Sequence, residues 1–149
     1  MGDRAYEAWV IAAAGEDTSR RFDVPAPIGE LRPWVRLRPL TAREALQREA
    51  VGLEEHYDLG PDGTAVAMHR TYDVDAMLQF ELQRCLVDYE LPVRTSGGAV
   101  ALVGPDELAR EELLDRLPVD LIDWLTDRLD AMNLRTVEGA AVLGEGKGG

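Results

Sequence analysis

The stretch Pro118 to Asn133 constrains this chain more than any other. Leu121, Ile122, Leu125, Leu129 and Met132 recur at helical spacing, and Asp123, Asp127 and Asp130 fall on the opposite side. Proline has no backbone N–H and a preset φ, so Pro118 suits the opening of such a helix, and Asn133 suits its stop. A helix divided this sharply must lay its apolar stripe on a second layer. With 149 residues, the chain is long enough to build one core around that contact. Hydrophobic residues make up 46% and charged residues 30%, the balance of a globular domain.

Upstream, Leu31 to Leu40 alternates, with Trp34, Arg36 and Arg38 on one side and Val35 and Leu37 on the other. Period two predicts a short, half-buried strand stopped by Pro39. Thr41-Ala-Arg-Glu44 has the spacing of a capping box, so a helix is expected over 42–57, burying Leu46, Ala50, Leu53 and Tyr57. Leu59-Gly-Pro-Asp-Gly63 is a turn, and 64–72 is a candidate second strand able to pair with the first. Asp73 or Asp75 caps a long helix reaching Tyr89, with Val74, Met77, Leu78, Leu82, Cys85 and Leu86 on its stripe and Pro92 after its end. Ser96-Gly-Gly98 is a flexible link, and Gly104-Pro-Asp-Glu107 opens a further helix that ends before Pro118. The fold expected is therefore mainly α: about four helices with a small β element near 31–40, paired at most with 64–72. Residues 1–137 form one domain. Residues 138–149 form a glycine-rich tail expected to be disordered, because glycine loses the most backbone entropy on folding and has no side chain to bury.

Acidic residues outnumber basic ones 28 to 16, a formal charge of −12, which disfavours nucleic acid and anionic membrane as partners. The early apolar run Trp9 to Ala14 is short and follows Asp3 and Glu7, unlike a signal peptide, and no stretch approaches the ~20 apolar residues of a membrane span. A lone Cys85 allows no internal disulfide, so a cytoplasmic setting is expected. Cys85 lies on an apolar stripe and reads as a small buried hydrophobe.

His56 and His69 stand thirteen apart in different elements and do not make a metal-ligand set with one cysteine. Glu54-Glu55-His56, read as a helix end, would splay its side chains about 100° apart and so would not converge on a substrate. Asp73-Val-Asp75 and Asp123 with Asp127 read as caps and solvated faces. Gly144-Glu-Gly-Lys-Gly148 lacks both the leading glycine and the Ser/Thr of a phosphate loop. No catalytic residue, metal ligand or cofactor is therefore assigned, and the expectation is a binding protein, not an enzyme. Trp9, Trp34 and Trp124 are the side chains most able to anchor a partner. Trp124 flanks the stripe of the last helix instead of sitting in its centre, so the edge formed by Leu121, Trp124 and Arg128 is the candidate partner-binding site.

Three segments resemble the tail assembly chaperones of long-tailed (siphovirus-type) bacteriophages. They are Trp34-Val-Arg-Leu-Arg-Pro-Leu-Thr-Ala-Arg-Glu44, Asp75-Ala-Met-Leu leading to Cys85-Leu-Val-Asp-Tyr-Glu-Leu-Pro92, and the Leu-Pro-x-x-Leu-x-x-Trp-Leu helix from Leu117 to Leu125. The resemblance spans about residues 31–134. It implies a protein that binds the phage tape measure protein, keeps it soluble, helps recruit tail tube protein, and leaves before the virion is complete. In that family a ribosomal frameshift near the stop codon also yields an extended form, which would be a further partner. Glu145-Gly-Lys147 can be encoded GAG-GGA-AAG, which contains a slippery heptamer. Two alternatives stand beside it: a structural morphogenesis protein, such as a head–tail connector or tail terminator, and a small acidic cytoplasmic adaptor.

Overall fold

A computed structural model describes residues 10–133. The glycine-rich tail, Trp9 and the start of the early apolar run lie outside them. The elements in chain order are β1 (Arg20–Asp23), β2 (Trp34–Leu37), α1 (Ala42–Gly52), β3 (Leu53–Leu59), β4 (Ala65–Tyr72), α2 (Val74–Cys85), β5 (Leu86–Arg94) and β6 (Val100–Val103). A 3₁₀ turn (Arg110–Glu112), the single-turn α3 (Leu113–Arg116) and α4 (Val119–Met132) complete the described chain.

The strands form two antiparallel sheets, one four-stranded in the order β1-β2-β5-β6 and one a hairpin of β3 and β4. The mainly α expectation is therefore corrected to a mixed α/β fold. The strand at 31–40 exists as β2, but its neighbours are β1 and β5. The 64–72 segment is a strand that pairs with β3 instead.

Both errors have one cause. Leu53 and Tyr57, and likewise Cys85 and Tyr89, are four residues apart, a spacing that shares a face on a helix and also on a strand. The chain resolves the ambiguity by running α1 directly into β3 at Gly52/Leu53 and α2 directly into β5 at Cys85/Leu86. Pro92 stands inside β5, in the half that pairs with β6 alone, so its missing N–H costs no bond to β2. The helix expected from Gly104 reduces to the 3₁₀ turn and α3.

The core lies between the four-stranded sheet and the helices α2 and α4. Val35 and Leu37 of β2, Leu86, Tyr89 and Leu91 of β5, Leu82 and Cys85 of α2, and Leu125 and Leu129 of α4 are all buried in it. Leu108 and Leu113 close one end, and the Tyr89 hydroxyl donates to the Leu108 carbonyl. Burial pushes the Cys85 thiol up to about 12, with the charge of Glu81 adding to the shift, so this cysteine is an inert core residue.

α1 is held differently. Leu46 and Val51 point outward, 72% and 50% exposed, while Tyr57 lies beyond the helix. Its docked face is Glu44, Arg48 and Gly52, again at intervals of four. Thr41 accepts the Glu44 amide and the Glu44 carboxylate receives the Thr41 N–H, so the capping box forms as expected. The same carboxylate takes two parallel bonds from the Arg38 guanidinium, at 2.8 and 2.7 Å, which holds its pKa down at about 2. At the other end Gly52 is pressed against Met77, where a Cβ would clash with the Met77 side chain. Between these, Arg48 Nε donates to Glu81 at 2.9 Å, and the Asn133 amide donates to the other Glu81 oxygen at 2.9 Å. Asn133 Oδ1 in turn accepts the Leu40 N–H at 2.7 Å.

Glu81 is 2% exposed, so truncating it leaves Arg48 and Asn133 facing an emptied, desolvated site. Glu81→Ala is expected to cost about 3–5 kcal/mol by urea unfolding, whereas breaking the exposed Arg70–Glu55 pair costs at most about 1 kcal/mol. Equal costs would refute the central role of Glu81. Because the Glu44 carboxylate titrates lower in the folded chain than its ordinary 4.5, its stabilisation is complete above that pH and is lost as pH falls toward 2. Melting temperatures of wild type and Glu44→Gln are therefore expected to converge across this window. Parallel curves would show that the Arg38 bridge does not contribute.

Candidate partner-binding surfaces

The β3–β4 hairpin is an arm inserted between α1 and α2. Every residue of β3 after Leu53 and every residue of β4 is exposed. Its base is pinned where the Asp73 N–H donates to the Gly52 carbonyl at 2.7 Å and the Asp73 carboxylate caps α2 through the Ala76 amide. Its tip is the Gly-Pro-Asp-Gly turn. There Gly60 N–H donates to the Thr64 carbonyl at 2.7 Å, Gly63 adopts a φ of +81°, and Asp62 accepts from both the amide and hydroxyl of Thr64. A side chain at Gly63 would meet the steric penalty of that left-handed conformation, which explains glycine there.

Register sorts the arm into two unlike faces. Leu53 pairs with Tyr72, Glu55 with Arg70, Tyr57 with Met68, and Leu59 with Ala65 next to a bulge at Val66. These side chains share one face, since successive residues of a strand point to opposite sides. That face is apolar except for the Glu55–Arg70 pair at 3.3 Å, whose carboxylate also accepts from the Tyr57 hydroxyl at 3.0 Å. Leu59, Val66, Tyr57, Tyr72 and Met68 are all large, apolar and at least 45% exposed. Contiguous exposed apolar surface of this kind marks interaction sites on folded proteins.

The opposite face carries Glu54, His56 and Asp58, with His69 directly across from His56. His69 Nε2 meets Asp58 at 2.7 Å and His56 Nε2 meets Glu54 at 3.6 Å. The two histidines read as belonging to different elements thus sit side by side. Among the described residues, no group of three or more His, Cys, Asp and Glu stands ready to hold a metal ion. Glu54-Glu55-His56 is strand, not a helix end, and its alternation sends Glu55 to the apolar face.

The edge singled out on α4 is also assembled. The Arg128 guanidinium lies 5.9 Å from the Trp124 ring centroid and 6.0 Å from that of Phe22 on β1. Trp124 and Leu121 are half-buried and packed on the core, while Arg128 is exposed. Trp34 is half-buried on β2 beneath Arg21, whose guanidinium stands 4.7 Å from the ring. Among the described residues no helix is long and apolar enough to cross a membrane. Comparison with protein-family models, curated proteins and solved structures finds no match to this chain.

Sequence reasoning missed the arm, although its signal was present. Leu53, Tyr57 and Leu59, then Val66, Met68 and Tyr72, keep even spacing on either side of a glycine-rich turn, the pattern of a hairpin. The two surfaces differ in what they do for the fold. Trp124→Ala is expected to cost about 1.5–3 kcal/mol, because part of an indole leaves the core margin. Met68→Ser on the arm should stay within about 0.5 kcal/mol, as for an exposed position. Urea unfolding of both variants checks this, and a larger cost at Met68 would show the arm packed against the body.

Proposed function

We propose that the chain is a tail assembly chaperone of a long-tailed bacteriophage, a protein-binding component and not an enzyme. It binds the tape measure protein in the host cytoplasm, keeps it soluble, helps recruit tail tube protein, and departs before the virion is complete. The three segments that resemble this family supply the name of the activity. The apolar face of the β3–β4 arm is the observation that carries the binding reading. A fold with a closed core would gain solubility from polar residues at Tyr57, Leu59, Val66, Met68 and Tyr72, yet it exposes apolar side chains there. Such a face covers apolar stripes of a client chain, and the charge of −12 keeps the resulting complex in solution. The edge at Leu121, Trp124 and Arg128 offers a second contact. A frameshift-extended form of the same chain, joined through the glycine-rich tail, would share in coating the tape measure protein and recruiting tail tube protein.

Co-expression with the tape measure protein from the same genome tests the reading. Soluble tape measure is expected to co-purify with this chain, and mature virions are expected to lack it. Tape measure that stays insoluble would overturn the proposal, and so would this chain in stoichiometric amounts in purified virions, which would favour a structural connector or terminator. The gene should also hold a slippery heptamer at codons 145–147 followed by an overlapping frame, without which the long form drops out of the proposal.

A further inference from the structure

The arm's dimensions and charge specify the kind of segment it takes. We infer that the apolar face of β3–β4 binds one amphipathic helix whose apolar stripe is flanked by lysine or arginine. This inference rests on reading the arm as the partner-binding surface.

Two antiparallel strands lie about 4.8 Å apart, so with their side chains the face is about 10 Å wide, the diameter of a single helix. β3 spans Leu53–Leu59, about 23 Å at 3.3 Å per residue, which matches about fifteen residues of helix rising 1.5 Å each. Leu53, Tyr57, Met68 and Tyr72 can meet apolar residues at i, i+3, i+4 and i+7 of such a helix. A second layer of sheet would overhang a two-stranded face, and a single helix covers it.

The charge selects the flanks. Residues 53–72 contain Glu55 on the apolar face, Glu54 and Asp58 behind it and Asp62 in the turn, against Arg70 alone, so the arm as a whole carries a net charge of −3 within a chain of −12, and its field favours a cationic partner. Glu55 stands on the apolar face itself, its carboxylate one-third exposed and already bonded to Arg70 and Tyr57, so a flanking cation of the partner extends an existing charge pair. Like charge works against a second copy of the same arm as occupant, and against an anionic membrane.

The test uses the full chain and a fluorescein-labelled synthetic peptide of 16 residues, with a leucine stripe at helical spacing and lysine flanks. A second peptide keeps the stripe and replaces lysine by glutamate. Fluorescence anisotropy is expected to show the lysine peptide bound at least tenfold more tightly, with the gap narrowing as salt rises. The double variant Tyr57→Ser/Met68→Ser should lose at least tenfold in affinity with an unchanged thermal melt, whereas Leu46→Ser on the exposed side of α1 should bind as wild type. Equal affinity for the two peptides would overturn the inference, as would undiminished binding by the double variant. Sedimentation showing a dimer that this variant dissolves would also overturn it, naming a second copy as occupant. Tape measure co-purifying through an arm that ignores the lysine peptide would defeat the inference alone. Lysine-peptide binding without tape measure binding would defeat the phage reading alone.

Discussion

The carboxylate of Glu81 is the point on which the arrangement of helices turns. It sits in α2, out of water, and receives Arg48 from α1 and Asn133 from the end of α4. Through Asn133 the same cluster reaches Leu40, at the junction of β2 and α1. A buried charge does little for net stability, because its desolvation offsets much of what its partners return. Its effect is selective. Any packing that separates α1 from α2, or slides α4 by a turn, strands an ion in the core. The apolar stripe of α4 would tolerate several neighbours, and the polar cluster tolerates one.

The same contrast explains which parts of the fold the residues announce. α4 runs from Val119 to Met132 between Pro118 and Asn133 as its stripe and boundaries indicate, and β2 alternates as Val35 and Leu37 require, because burial of apolar side chains dictates both. The capping box at Thr41 and Glu44 is equally plain, since its chemistry is local. α1 is illegible by hydrophobicity: Glu44, Arg48 and Gly52 dock it while Leu46 faces out, so a search for an apolar stripe selects the wrong side. The strand ends of both helices were hidden by residues four apart, which suit either period. β5 in particular pairs along its first half with β2, which lies far away in the chain, and no local pattern encodes that partner.

The candidate binding surfaces divide along the same line. Trp124 flanks its stripe, and the sequence alone places it at a margin, with Arg128 one turn further on. The arm is a property of pairing. Tyr57 and Met68 become neighbours only when the Gly-Pro-Asp-Gly turn folds β4 back on β3, and Glu55 then meets Arg70 in the middle of the apolar face. Residues expected at a helix end and in a strand of another pairing become one surface. Function, on the reading proposed above, resides in a segment that the core neither needs nor restrains.

That independence has a thermodynamic side. β2 and β5 are adjacent in the sheet although 48 residues separate Leu37 from Leu86, and 20 of those belong to the arm. The cost of closing a loop grows only with the logarithm of its length, so removing the arm from that excursion would ease closure by about 0.5 kcal/mol. The body therefore bears the insertion almost without penalty. Because Gly52 and Asp73 are already held together at its base, the arm can lengthen, shorten or change its apolar face while the core keeps its register. Chains of this design can vary the surface they present by editing one hairpin, with the rest of the molecule left as a fixed mount.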